Sequence, residues 1–294
     1  MTEPTFCPDL AELAPRYSSF IIDQWGVVHD GGAPYPGAID GLAQLRAAGK
    51  RVILLSNSGT RAAPNRARLA ELGFGEELYD AVVTSGEATW RALAERTDPF
   101  FAGLGRRCLL WSRYGDLGAI EGLPLERVER VEDAEFLLLA GTEDEAVLDD
   151  FVDPLERAAA RGLPMVCGNP DVVVMRPGGE IGMAPGTVAR HYEQLGGRVG
   201  YVGKPHRPVY ELCLALLDHP PADQVLAIGD SLAHDIAGGA AMGLDTALIL
   251  NGIHADRFVP ADQPGANGAA FAELQRDYGV LPRWALPRFR WRAR

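Results

Sequence analysis

Three apolar runs in this chain each stop on a small polar or acidic residue, and that pattern constrains the fold more than any other feature. Phe20-Ile21-Ile22 runs into Asp23, Ile53-Leu54-Leu55 into Ser56, and Val225-Leu226-Ala227-Ile228-Gly229 into Asp230. Short continuous runs of Ile, Val and Leu fit strands that are covered on both faces, as in a parallel sheet. The carboxyl ends of such strands border the crevice where α/β proteins bind ligands. The expected fold class is α/β, with a Rossmann-like parallel-sheet core.

The alternation along the chain supports this. Residues 20–86 read as strand, Gly/Pro-rich loop, amphipathic helix closed by Gly49, strand 52–55, helix 64–72 and strand 81–83. That is a βαβαβ sequence. Residues 87–197 keep the rhythm with different content: strands at 107–111 and 136–140, and a helix at 145–161. A strand then ends in Gly168-Asn169-Pro170-Asp171, and a hairpin turns at Pro177-Gly178-Gly179. Residues 198–250 return to the first pattern with a strand, Lys204, the helix 208–217 and the strand into Asp230. The expected organisation is a discontinuous core, 1–86 with 198–294, and an inserted α/β domain at 87–197.

Composition excludes several classes. A formal net charge of −12 disfavours nucleic acid, whose backbone requires a positive surface. No stretch of about 18 apolar residues exists, so no membrane span is predicted, and the N-terminus lacks the basic and apolar regions of a signal peptide. Cys7, Cys108, Cys167 and Cys213 are far apart and show no metal-site spacing, which fits reduced thiols in a cytoplasmic protein. The C-terminus interleaves Arg283, Arg288, Arg290, Arg292 and Arg294 with Trp284, Phe289 and Trp291. In an acidic chain those aromatics are expected to pack while the arginines solvate.

Lys50 and Lys204 are the only lysines among 28 basic residues. Arg dominates everywhere else, so Lys204 in Gly203-Lys204-Pro205 points to a site that requires a compact ammonium. Asp23, at a strand tip, can attack phosphorus or hold a metal. Ser56 and Asn57, where a strand gives way to a helix, can cradle phosphate oxygens, with Ser58 beside them. Asp230 and Asp235, in the frame Gly-Asp-Ser-x-x-x-Asp, can hold a divalent cation through hard oxygen ligands.

Taken together these motifs resemble the haloacid dehalogenase-like hydrolase superfamily, specifically its class IIA phosphatases of the NagD and 4-nitrophenyl phosphatase type. The resemblance spans essentially the whole chain, including an inserted C2-type cap with its Gly168-Asn169-Pro170-Asp171 turn and Pro185-Gly186. It implies a Mg²⁺-dependent phosphatase hydrolysing a small phosphorylated metabolite through an aspartyl-phosphate. Asp23 would be nucleophile and metal ligand, Ser56 and Asn57 would bind the phosphoryl group, and Lys204 would contact nucleophile and phosphate. Asp230 would ligate the metal, with Asp235 metal-binding or just behind it. Cap residues around 169–176, Asn169 among them, would set specificity, with Arg176 read first as a solvated hairpin arginine and otherwise as a contact for a second anionic group, and the cap makes a homodimer plausible.

The departure is Trp25. The family usually carries a second Asp two residues after the nucleophile, as general acid and then base. Trp25 can still offer the metal a backbone carbonyl, but it has no proton to transfer, a loss of about 10²–10⁴ in rate. His29 or Asp30, on the same loop, are the available substitutes. Three rival readings follow: a catalytically impaired binding protein for a phosphorylated ligand, a phosphatase for substrates whose good leaving groups need no acid, and a metal-independent dehalogenase. The last would not need the Gly229-Asp230-Ser231 motif retained here. Phosphonatase chemistry requires a cap lysine, and the insert has none.

Overall fold

The computed structural model describes residues 3–175, 181–259 and 267–292. Fourteen strands lie among them. In chain order they are β1 (Thr5–Phe6), β2 (Ser19–Asp23), β3 (Arg51–Ser56), β4 (Ala81–Thr84), β5 (Arg107–Trp111), β6 (Glu126–Val128) and β7 (Phe136–Leu139). They continue with β8 (Met165–Cys167), β9 (Val173–Met175), β10 (Ile181–Met183), β11 (Val199–Tyr201), β12 (Val225–Gly229), β13 (Asp245–Ile249) and β14 (Trp284–Leu286). The chain divides into two compact units, one comprising Met1–Ser56, Ala63–Val83 and Tyr210–Arg294, the other Asn57–Ala62 and Thr84–Val209.

The first unit is built on a seven-stranded sheet of order β1-β14-β13-β12-β2-β3-β4. Strand β2 pairs parallel with both β12 and β3, and every residue of β2 and β12 is buried. This is why those runs are apolar throughout instead of alternating. The strand order reverses at β2, with β3 on one side and β12 on the other, so a topological switch point falls between β2 and β12. Register fixes what arrives there. Asp23 lies opposite Leu55, one residue before Ser56, and Ile22 lies opposite Ile228, two residues before Asp230. Phe20, Ile22, Leu42, Leu45, Leu54, Leu69 and Phe74 are among the buried side chains that form its core.

The Arg/aromatic C-terminus belongs to this unit. Trp284 lies in β14, which pairs parallel with β13 and β1, and its indole N–H donates to the Tyr17 hydroxyl at 2.7 Å. Phe289 is buried and Trp291 packs against the same core, while Arg283 meets Asp245 at 2.6 Å.

The second unit carries a five-stranded sheet of order β11-β8-β7-β5-β6, with all its pairs parallel, and the antiparallel pair β9–β10. Leu137, Leu139, Leu155, Val188 and Tyr192 centre its core. Here the structure differs from the sequence reading in two elements. The strand at 199–201, read as the return to the first sheet, pairs with β8 and forms an edge of the five-stranded sheet. The helix expected at 145–161 spans Asp149–Ala160, because residues before it form a turn in which the Val147 N–H donates to Asp150 Oδ2 at 2.9 Å. Arg176 and the turn Pro177-Gly178-Gly179 lie outside the described residues. Among those described, no helix is long and apolar enough to cross a membrane. All four cysteines are buried and unbridged.

Candidate active site

In the first unit, Asp23 closes β2, Asp230 follows β12, and Asp235 sits in the helical turn Leu232–Ile236. All three are buried. Each offers a carboxylate oxygen, and these oxygens lie within 4.8 Å of one another. Three like charges this close and this shielded from water repel one another strongly unless a cation or protons compensate them. Hard carboxylate oxygens converging on a point are the donor set that Mg²⁺ takes, so these residues fit that ion. The set is held rigidly: the Ser231 N–H donates to Asp235 Oδ2 at 3.1 Å and the Ile253 N–H to Asp230 Oδ2 at 2.9 Å. Gly26 passes the Asp230 carboxylate at φ +81°, so closely that a Cβ would overlap it. Only glycine combines that left-handed backbone with that approach.

Trp25 lies between Asp23 and this contact. Its side chain is 52% exposed, yet the ring is fixed. It meets His29 edge-on, centroids 6.1 Å apart, and covers Gly31, where φ is +88° and a Cβ would overlap the indole. His29 is buried against Phe74, and its Nδ1 accepts the Gly31 N–H at 3.0 Å. Burial pushes its pKa down to about 4. The Asp30 Oδ1 accepts the N–H groups of Ala33 and Gly32 at 2.7 and 2.8 Å, and these bonds hold its carboxyl below the usual range. At neutral pH one is an uncharged imidazole and the other a carboxylate committed to its turn. Neither carries a proton ready for transfer to a leaving group.

In the second unit, the Asn57 amide makes four hydrogen bonds. Its Oδ1 accepts the Lys204 N–H at 2.7 Å and the Ser85 hydroxyl at 3.0 Å. Its Nδ2 donates to Asp171 Oδ1 at 2.7 Å and the Lys204 carbonyl at 3.1 Å. An amide has two N–H groups and two lone pairs, all spent here, so any phosphate contact from Asn57 must come from its backbone. Lys204 is buried and anchored on both sides of its Cα by this one residue. The Asn169 Oδ1 accepts the Asp171 N–H at 2.9 Å, shaping the turn that delivers Asp171. The Ser58 hydroxyl lies 2.9 Å from that of Thr60.

The structure thus brings together Asp23, Asp230 and Asp235, with Ser56 on the same strand-end edge, and separately Asn57 with Lys204. Sequence reasoning missed Ser85 and Asp171 as partners of Asn57. It also missed the 251–253 loop that supports Asp230. The Gly168–Asp171 turn was a visible signal for Asp171; the others had none.

A haloacid dehalogenase-like hydrolase model matches residues 20–119 and a HAD-hydrolase-like model residues 201–273. A haloacid dehalogenase-like family hydrolase from Brucella suis 1330 is 32% identical, with a TM-score of 0.80, covering 96% of this chain and 99% of its own. The D-glycerol 3-phosphate phosphatase of Mycobacterium tuberculosis is 28% identical over 92% of this chain and 75% of that protein. A structure of a glycerol phosphate phosphatase from Mycobacterium tuberculosis in complex with magnesium is 26% identical. Its TM-score is 0.66, with 82% of this chain and 70% of that one covered. With its parallel-sheet core, its inserted α/β cap and these likenesses, the chain belongs to the haloacid dehalogenase-like hydrolase family, in its class IIA form.

Proposed function

We propose that this protein is a Mg²⁺-dependent phosphatase that hydrolyses a small organophosphate monoester through an aspartyl-phosphate on Asp23. The observation that carries the reading is the convergence of Asp23, Asp230 and Asp235 at the ends of β2 and β12. The phosphatase relatives support it. Asp23 attacks phosphorus, and its carboxylate becomes the acyl half of the intermediate. Ser56 donates its hydroxyl to a phosphoryl oxygen, and Lys204 is the compact ammonium that the family resemblance assigns to phosphate. Asp230 and Asp235, together with Asp23 and the Trp25 carbonyl, would hold Mg²⁺. When bound, the ion neutralises the repulsion between a carboxylate nucleophile and a dianionic ester.

The test is hydrolysis of 4-nitrophenyl phosphate and acetyl phosphate by the wild type and Asp23→Asn, with Mg²⁺ and with EDTA. Turnover that requires the metal and disappears in Asp23→Asn is the expected result. Trp25 favours a second reading, a protein that binds a phosphorylated ligand without turning it over. Tight ligand binding with no turnover of any ester would select it. Halide release without metal would select the dehalogenase instead.

A further inference from the structure

We propose that Trp25 fixes the substrate class of this site: phosphate monoesters of planar, acidic alcohols of the phenol type, seated against the indole and expelled as anions. The inference rests on the phosphatase reading above and deepens it. Four observations in the first unit carry it.

Trp25 stands two residues past Asp23, and the next residue, Gly26, presses its backbone on the Asp230 carboxylate. The segment bearing the indole therefore borders the carboxylate cluster. The ring is half exposed yet immobilised by Gly31 beneath it and the His29 edge beside it. A large aromatic surface held this way offers a stacking partner at small entropic cost. An indole has no proton acidic enough for an ester oxygen. Finally, His29 Nδ1 and Asp30 Oδ1, the nearby titratable groups of the loop, are occupied by backbone N–H donors.

The chemistry follows from that inventory. An Asp23 oxygen bonds to phosphorus while the bond from phosphorus to the ester oxygen breaks. Its electron pair stays with the departing group, which leaves as a phenolate and is protonated by solvent. Water then adds to phosphorus, the bond to Asp23 breaks, and the carboxylate is regenerated. The protons of that water end on inorganic phosphate and solvent. Without a proton donor, the first step is fast only when the leaving anion is stable, and the indole favours leaving groups that are flat.

Four substrates separate the two halves of the proposal: 4-nitrophenyl phosphate (flat, acidic), acetyl phosphate (acidic, without a ring), benzyl phosphate (ring, alkyl leaving oxygen) and glycerol 3-phosphate (neither). With Mg²⁺, wild-type kcat/KM for glycerol 3-phosphate and benzyl phosphate is expected at least about 10²-fold below that for 4-nitrophenyl phosphate, the usual worth of general acid catalysis. Trp25→Asp should narrow that gap at least about 10-fold. Trp25→Leu should raise the ratio of KM for 4-nitrophenyl phosphate to KM for acetyl phosphate about 10-fold. In Asp23→Asn protein, phenyl phosphate should quench tryptophan fluorescence and glycerol 3-phosphate should not. A wild type that hydrolyses all four esters within tenfold of one another overturns this proposal and leaves the phosphatase reading standing. No turnover of any of them, from folded protein that binds Mg²⁺, overturns both.

Discussion

The two units each bury a cluster of polar side chains, and the clusters are opposites. In the first, Asp23, Asp230 and Asp235 turn three carboxylates of one sign toward each other within 4.8 Å. In the second, the Asn57 amide is matched on all four of its valences by Lys204, Ser85 and Asp171. A saturated amide needs nothing added, and it stabilises because all of its donors and acceptors have partners. A convergence of like charges is costly wherever positive groups or an ion do not balance it. One cluster therefore holds a loop in shape, and the other suits the proposed ion and reacting group.

The comparison predicts that substitutions will separate function from stability in opposite senses. Asp23→Asn removes the proposed nucleophile and one of the three carboxylate charges. Turnover of 4-nitrophenyl phosphate should fall by at least about 10³-fold, while the metal-free protein unfolds in urea no earlier than the wild type. Asn57→Ala should do the reverse in its own unit. It removes all four hydrogen bonds of the amide, each with a net worth of about 0.5–1.5 kcal/mol, so a stability loss of about 3 kcal/mol is expected in the same titration. If Asp23→Asn destabilised the metal-free fold as much as Asn57→Ala, the carboxylates would be holding structure and the contrast would collapse.

Metal sharpens the same contrast. An ion that binds only the folded state stabilises it by mass action, about 2.7 kcal/mol at a hundred times its Kd. Saturating Mg²⁺ should therefore raise the Tm of the wild type and, to a similar degree, that of Asn57→Ala. It should leave the Tm of Asp230→Ala almost unmoved, since that variant lacks one of the three oxygen donors. Thermal melts with Mg²⁺ and with EDTA read this out, and an equal rise in Asp230→Ala would place the ion elsewhere.

What was legible in the sequence divides along the same line. Each strand end that delivers Asp23, Ser56 or Asp230 is encoded by a contiguous apolar run and its stop, so local pattern suffices. The Asn57 network joins residues 57, 85, 171 and 204, and nothing local at any one of them announces the other three. The strand Val199–Tyr201 failed for a related reason: three residues carry no information about which sheet they will extend, and pairing with β8 decided it. Trp25 was visible as a departure. That its ring is clamped over Gly31, and that His29 and Asp30 are committed to backbone donors, required the folded loop.

His29 supplies the smallest of the expected effects and a probe of that loop. Its ring is buried against Trp25 and Phe74, and its pKa falls from an ordinary 6.5 to about 4 through burial, with Asp30 favouring the charged form and Arg68 opposing it. The unfolded chain therefore binds more protons than the folded one between these values, and stability must rise with pH across that interval. The contribution is complete above about pH 6.5 and lost as pH falls toward 4, about 2 kcal/mol once screening by nearby solvent is allowed for. Asparagine at position 29 keeps an acceptor for the Gly31 N–H but does not titrate. The difference in unfolding free energy between wild type and His29→Asn, measured in EDTA from pH 7.5 to 4.5, should stay constant down to about 6.5 and then shrink in the wild type's disfavour. Subtraction cancels the protonation of the three carboxylates, which both proteins share. Parallel curves would mean that the imidazole is hydrated in solution and that the loop beneath Trp25 is looser than its contacts with Gly31 and Phe74 require.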